Sequence, residues 1–111
     1  MLIFKVLRPE EFMRLETGSL SCGSKTDTKD RFIHFSTKEQ LKGTLEKHYP
    51  GEQNLILMAV ESQTLGEALV WEEGRQNQLF PHFYGKLQFD HGLWYSPLEY
   101  QGNSYIFPSG F

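Results

Sequence analysis

The sequence predicts an α+β domain with roughly six short strands and two helices, both in the N-terminal half. Short apolar segments separated by polar or glycine-containing stretches recur along the chain, which is typical of strands. Only two segments carry the residues that favour helix ends. The 111 residues match one domain in length, without an internal repeat or a linker. We therefore expect a single domain over residues 1–111, with 99–111 as an edge hairpin or tail.

The first strand and the first helix follow each other directly. "LIFKVL", residues 2–7, has the apolar content of a strand. Pro9 then begins "PEEFMRLETG", which has acidic residues in its first turn and ends at Gly18. Residues 17–30 contain almost no side chain that could enter a core. We predict a long surface connection or flap there, a type of loop that is often functional.

A second strand and helix come next. "RFIHFS", residues 31–36, reads as a strand, and alternation places Ile33 and Phe35 on one face, opposite Phe32, His34 and Ser36. The following "TKEQLKGTLEKHY" reads as a helix that ends before "PG". Ser36 with Glu39 fits a capping box, and one helical stripe contains Thr37, Leu41, Leu45 and His48.

The remaining strands are read from apolar runs. "NLILMAVE" (54–61) is the most continuous run and predicts a central strand that is covered on both faces. Three more strands are expected around residues 69–72, 79–85 and 92–98, and a "QGN" turn would fold "SYIF" back as an edge hairpin. Trp71 and Trp94 are expected in the core.

Composition excludes several classes of function. The net charge is −3 and the basic residues are scattered, so extended nucleic acid is not an expected partner. A single cysteine, Cys22, cannot form an internal disulfide. No apolar run has the length of a membrane span or the charge order of a signal peptide, which predicts a cytoplasmic protein without membrane contact. The histidines and Cys22 show no close-spaced ligand pairs, so no metal site is predicted.

Two histidines carry the best candidates for chemistry. In "LFPHFYG" (79–85), Phe80, His82 and Tyr84 share one strand face, and His34 shares a face with Ser36. Each histidine could line a pocket, or could pack among aromatic rings and donate to backbone carbonyls. Both interpretations stay open at the level of the residues.

Two charged residues near "LFPHFYG" add to these candidates. Arg75 precedes that segment and could bring a cation to it, or could be a solvated loop arginine. Glu72 and Glu73 are neighbours on a strand and face opposite sides, so at most one of them lines a site. Glu72 is the candidate, and the alternative is an exposed acid at a strand end.

"FIHFST" followed in order by "LILMAVE", "LVWEEGR" and "LFPHFYGKL" resembles the family known as domain of unknown function 952. The resemblance covers about residues 3–98. It implies a fold similar to that of the ADP-ribosyltransferases, which hold NAD in a cleft between two small, mainly antiparallel sheets. NAD, as a substrate, is therefore the implied ligand.

The resemblance also implies roles for residues of this chain. "FIHFST" matches the second motif of that fold, so His34, Ser36 and Thr37 would hold the nicotinamide-ribose end and Arg75 the diphosphate. The first motif usually has a His or Arg, where this chain has Lys5. The third usually has a glutamate, and "FPHFYG" has none. In the implied cleft, His82 would bond to a ribose or phosphate oxygen and Tyr84 would stack on a planar ring. The catalytic candidates are therefore His82, Tyr84 and Glu72.

Three functions follow from these matches. The first is an NAD-dependent ADP-ribosyl transferase or glycohydrolase that acts on an unknown acceptor. The second is a phosphate-handling enzyme resembling the RNA 2′-phosphotransferases, which work with Arg and His and lack the glutamate. The third is a non-catalytic module that recognises a nucleotide or a protein partner.

Overall fold

The computed structural model describes residues 1–18, 32–109 and 111, and within them the fold is α+β as predicted. Three 3₁₀ segments, Ser62–Ala68, Arg75–Asn77 and Phe89–His91, connect some of the elements. The strands and α-helices are β1 (Leu2–Leu7), α1 (Pro9–Glu16), β2 (Ile33–His34), α2 (Lys38–His48), β3 (Leu55–Glu61), β4 (Leu69–Glu73), β5 (Leu79–Phe83), β6 (Trp94–Gln101) and β7 (Ser104–Ile106).

The strands form two sheets in which every described pairing is antiparallel. The larger sheet has the order β1-β3-β6-β7, and the smaller has the order β2-β5-β4. β3 is an inner strand, as its continuous apolar run predicted. The predicted edge hairpin is also confirmed: β6 and β7 are joined by Gly102 and Asn103, whose φ angles of 57° and 67° suit a tight two-residue turn.

Both predicted α-helices are present, and the structure corrects the cap of the second. α1 begins at Pro9, and Gly18 follows its end with φ +83°, as expected of a helix stop. α2 is capped by Thr37, whose side chain accepts from the Gln40 amide at 3.2 Å while the Gln40 side chain accepts from the Thr37 amide at 3.0 Å.

The predicted capping pair of Ser36 with Glu39 is therefore wrong. Both registers fit the motif in sequence. Tertiary structure selects Thr37 as the cap, because Ser36 still belongs to the extended segment before the helix. Its amide and carbonyl each bond to Phe4 of β1 at 2.8 Å.

Apolar side chains fill two clusters on opposite faces of the larger sheet. The first cluster joins that sheet to the smaller sheet and α1, and includes Ile3, Leu7, Leu15, Ile33, Phe35, Met58, Val60 and Phe83. The second lies under α2 and includes Phe4, Val6, Leu41, Leu45, Leu57 and Ala59. Ile33 and Phe35, which alternation places on one face of the "RFIHFS" segment, are both buried in the first cluster.

The expectation that both tryptophans lie in the core is wrong for Trp71. Its side chain is 37% exposed, because β4 is an edge strand of the smaller sheet. Trp94 is half-buried and packs against the second cluster, with its ring centroid 6.1 Å from that of Phe4. Residue type alone had suggested burial for both.

One prediction falls mostly outside the described residues. Most of the expected connection at 17–30, including Cys22, lies outside them. Within them, no helix has both the length and the apolar content needed to cross a membrane.

The two sheets join at the bridge between Phe4 and Ser36, and the candidate site lies beside it.

Candidate functional site

A cleft of about 330 Å³ opens where the two sheets and α2 meet. Its walls come from β1, the segment before α2, the C-terminal half of α2, the turn after β4, and β5. Four of the predicted site residues line it together, namely His34, Ser36, Arg75 and His82. Segments that are far apart in sequence therefore converge on one site.

The two histidines are direct neighbours across the smaller sheet. His34 of β2 is in register with His82 of β5, and their ring centroids are 5.4 Å apart. Opposed residues of antiparallel strands share a face, so both rings reach the same side. Phe32 lies against both, with its centroid 4.6 Å from that of His34 and 4.1 Å from that of His82. This pairing places two imidazoles and an aromatic ring at one end of the cleft.

Glu72 connects two of the catalytic candidates. Its Oε1 lies 2.8 Å from Nδ1 of His82 and accepts a hydrogen bond from the Tyr84 hydroxyl at 2.7 Å. These bonds, that from Tyr84 first and that from His82 second, lower the pKa of Glu72, and the carboxylate in turn raises the pKa of Tyr84. A carboxylate that accepts from Nδ1 leaves Nε2 of a neutral imidazole as a proton acceptor.

Tyr84 has a different position from the one expected. It is 50% exposed and is not among the described residues that line the cleft. Its hydroxyl holds the carboxylate of Glu72, which itself holds His82. The structure thus places Tyr84 outside the cleft wall but against Phe32, which lines the cleft, with the two ring centroids 5.4 Å apart. Of the two neighbouring acids, Glu73 rather than the predicted Glu72 lines the cleft, beside Gly74.

We expect Glu72 to titrate below the 4.5 of an ordinary glutamate, and Tyr84→Phe to raise its pKa. Because the folded-state pKa is depressed, the stability that this carboxylate contributes is present above the unfolded-state pKa and is lost as pH falls through the folded-state value. The measurement is an NMR pH titration of the Glu72 carboxyl carbon. Tyr100→Phe is the control, and equal midpoints in wild type and Tyr84→Phe would contradict the assignment.

Arg75 is packed against α2, which favours the site interpretation over that of a solvated loop arginine. Its Nη2 lies 3.5 Å from the carbonyl oxygen of Gln40 and 3.4 Å from the hydroxyl of Thr44. The guanidinium carbon lies 5.0 Å from the ring centroid of Phe80. A residue of the β4–β5 turn is thereby fixed in the cleft wall.

The two members of the predicted Ser-Thr pair, Ser36 and Thr37, have different roles. Ser36 lines the cleft, and its hydroxyl bonds to that of Thr44 at 2.7 Å. Thr44 in turn donates to the carbonyl of Gln40 at 3.2 Å. Thr37 is 9% exposed, and its hydroxyl caps α2. Thr37 therefore positions the helix, whereas Ser36, itself buried, belongs to the cleft wall.

One face of α2 contributes to the cleft, although we did not predict this from the sequence. Thr44, Lys47 and His48 line the cleft, and their spacing of three and four residues is the signal that would have grouped them. Partial burial lowers the pKa of His48, and the positive charge of Lys47 adds to the effect. Lys5, at the first motif position, is 3% exposed, lines the cleft, and has Nζ 3.4 Å from the carbonyl of His34.

The described side chains include no candidate metal centre. Across residues 1–18, 32–109 and 111, no group of three or more His, Cys, Asp or Glu residues is placed to hold an ion. The cleft instead offers imidazoles, cations and aromatic rings. These groups suit an anionic organic ligand.

The chain is similar to protein CC0527 from Caulobacter crescentus. The crystal structure of that protein matches with a TM-score of 0.89 and 35% identity, over 95% of this chain and 92% of CC0527. Its solution NMR structure matches with a TM-score of 0.81 and 36% identity, over 94% of this chain and 90% of CC0527. No curated protein is significantly similar to the chain.

A family model described as "Protein of unknown function (DUF952)" matches residues 6–94, a range that holds every residue of the cleft wall discussed above except Lys5. The match and the likeness to CC0527 agree with the resemblance carried by "FIHFST" and "FPHFYG". The chain therefore belongs to the DUF952 family.

Proposed function

We propose that the cleft binds NAD and that the protein transfers or hydrolyses its ADP-ribosyl group, on a fold similar to that of the ADP-ribosyltransferases. The observation that carries this proposal is the convergence of His34, His82 and Arg75 on one cleft, with Glu72 bonded to His82. Cations bind phosphates, aromatic rings stack on planar bases, and imidazoles form hydrogen bonds with ribose hydroxyls. The likeness to that fold rests on the sequence resemblance, and two small antiparallel sheets with a cleft at their junction support it.

Each part of NAD has a partner in this proposal. Arg75 takes the diphosphate, while His34 and Ser36 hold the nicotinamide-ribose end. His82 faces the reacting ribose. The cleft volume of about 330 Å³ is at the lower end of the range for small-molecule sites. We therefore place the nicotinamide ribose and the diphosphate inside, and the adenosine at the rim.

The chemistry requires a cation to be stabilised. The bond between nicotinamide and the ribose carbon breaks, nicotinamide leaves with the electron pair, and positive charge develops on the ribose. The carboxylate of Glu72 is not among the described residues that line the cleft, so it would favour that charge through its bond to His82, and "FPHFYG" itself has no glutamate. Nε2 of His82 accepts the proton of the attacking hydroxyl. With water as acceptor, the products are nicotinamide, ADP-ribose and a proton.

A second candidate is a phosphate-handling reaction on a small phosphorylated nucleotide. The observation that favours it is the cationic wall, where Lys5, Lys47 and Arg75 line one cleft. The net charge of −3 disfavours a large RNA substrate. Release of inorganic phosphate, or its transfer to NAD, from a 2′-phosphorylated nucleotide would identify this function.

Isothermal titration with NAD, followed by an assay for nicotinamide release, tests the main proposal. We expect wild-type protein to bind NAD and release nicotinamide, and His34→Ala to weaken binding about tenfold, since one bond to a ribose or phosphate oxygen is lost. His91→Ala is the matched control, because His91 does not belong to the described cleft wall. Absence of both binding and release would reject the proposal. Binding without release would identify a nucleotide-binding module.

A further inference from the structure

We propose that Arg75, Phe80 and α2 form a preorganised phosphate subsite, and that Gly43 is the positioning residue that makes room for the guanidinium. The inference rests on the proposed function, because it names the part of the cleft that takes the diphosphate. It is tested with a phosphate compound other than NAD, so the two proposals can fail separately.

The charge of Arg75 is not neutralised within the described part of the chain. No carboxylate there forms an ion pair with it, and Nη2 makes only two long contacts, at 3.5 Å to the Gln40 carbonyl and 3.4 Å to the Thr44 hydroxyl. Both partners are neutral oxygens. The remaining N–H donors of the guanidinium are therefore available, and their fork matches two oxygens of a phosphate.

The guanidinium is held in place although it is not neutralised. Phe80, 8% exposed, supports it with a carbon-to-centroid distance of 5.0 Å. The turn that carries Arg75 is closed by a 2.8 Å bond from the Gly74 amide to the Gln78 carbonyl. A Cβ on Gly74 would lie 2.8 Å from the Phe80 ring, so the turn also packs closely on that ring. A cation that is already ordered loses less entropy when it binds an anion.

Gly43 explains how the guanidinium can approach the helix. Glycine is the least favourable residue in a helix interior apart from proline, yet Gly43 lies in the middle of α2. A Cβ at this position would lie 3.0 Å from Nη2 of Arg75, closer than ordinary van der Waals contact. The missing side chain thus leaves a notch that the guanidinium fills. A larger residue would push the charge out of the cleft wall.

The surroundings of the notch favour an anion. Lys47 and His48 lie on the same face of α2, one turn further along, and line the same cleft. Glu73 also lines the cleft, but forms no ion pair with Arg75 among the described contacts. The subsite therefore combines a fixed guanidinium with the nearby positive charge of Lys47, which is the chemistry that binds a diphosphate.

Isothermal titration with inorganic pyrophosphate tests the subsite in Arg75→Gln, Gly43→Ala and Gly43→Leu. We expect Arg75→Gln to weaken binding about tenfold or more. Gly43→Ala should weaken it by roughly threefold, since hydrogen bonds weaken steeply as their geometry is displaced, and Gly43→Leu should weaken it further. The midpoint temperature of thermal unfolding should be no lower in Gly43→Ala than in wild type, because alanine favours the helix. Lys42→Gln is the charge control on exposed α2 surface.

Each result decides one part of the inference. If wild-type protein does not bind pyrophosphate, or Arg75→Gln binds it equally well, the subsite is rejected. If both Gly43 variants bind like wild type, the role of Gly43 is rejected. Pyrophosphate binding without NAD binding would reject the proposed function and leave the subsite. If NAD binds and Arg75→Gln does not weaken that binding, the subsite is rejected and the proposed function remains.

Discussion

Replacing His82 with alanine is expected to lower the rate of nicotinamide release by about 10²–10⁴-fold, the range for removal of a general base. Nδ1 of His82 lies 2.8 Å from Glu72, so the ring is oriented and its other nitrogen is the base in the proposed reaction. Stability should fall by roughly 1–3 kcal/mol, because the buried ring loses its packing on Phe32 as well as its hydrogen bond. Glu72 is 39% exposed, so water can replace the lost partner.

The measurement is the initial rate of nicotinamide release, together with the urea midpoint of each variant. His91→Ala controls for loss of a histidine, and it should leave the rate unchanged. Glu72→Gln keeps an acceptor for Nδ1 and removes the negative charge, so it separates orientation from electrostatics. A folded His82→Ala with wild-type rate would contradict the catalytic role. Marked destabilisation without a rate change would mean that His82 is structural.

Leu57→Ala is expected to lower the free energy of unfolding by about 3 kcal/mol, within the range for a buried leucine replaced by alanine. Leu57 is fully buried in β3 and belongs to the cluster under α2. The surrounding residues come from a sheet and a helix that cannot easily close on the gap. The loss therefore includes both the transfer free energy and a cavity.

Urea unfolding followed by far-UV circular dichroism measures this loss. Leu93→Ala is the matched control, because Leu93 is 63% exposed and its truncation should change stability by less than about 0.5 kcal/mol. A change below about 1 kcal/mol in Leu57→Ala would mean that the cluster repacks around the smaller side chain. The two variants thus report on the packing that supports the α2 side of the cleft.

Elements with strong local signals were predictable from the sequence. The strand "LIFKVL" has the predicted bounds, and α1 begins at Pro9 and is followed by Gly18. The β6–β7 hairpin follows from its turn residues. Alternation also separated Ile33 and Phe35, which the structure shows to be buried, from His34 and Ser36, which it shows to line the cleft. Each of these features depends on a few neighbouring residues.

Other features depend on partners far away in the sequence. Thr37 rather than Ser36 caps α2, because Ser36 pairs with Phe4 of β1. Trp71 is partly exposed because β4 has a neighbour on one side only. No local pattern shows that Arg75 would reach α2, since the turn that carries it and the helix notch are 32 residues apart.

The sequence by itself determined the α+β class, most strands and both helices, and the resemblance to the DUF952 family through "FIHFST" and "FPHFYG". Local propensity, alternation and end residues decide such features, so they can be read from the chain. Only the tertiary structure decided that His34 and His82 are in register, that Glu72 bonds to His82, and that Arg75 packs beside Gly43. The physical reason is that register and packing are set by the joint burial of distant segments, which no single segment specifies.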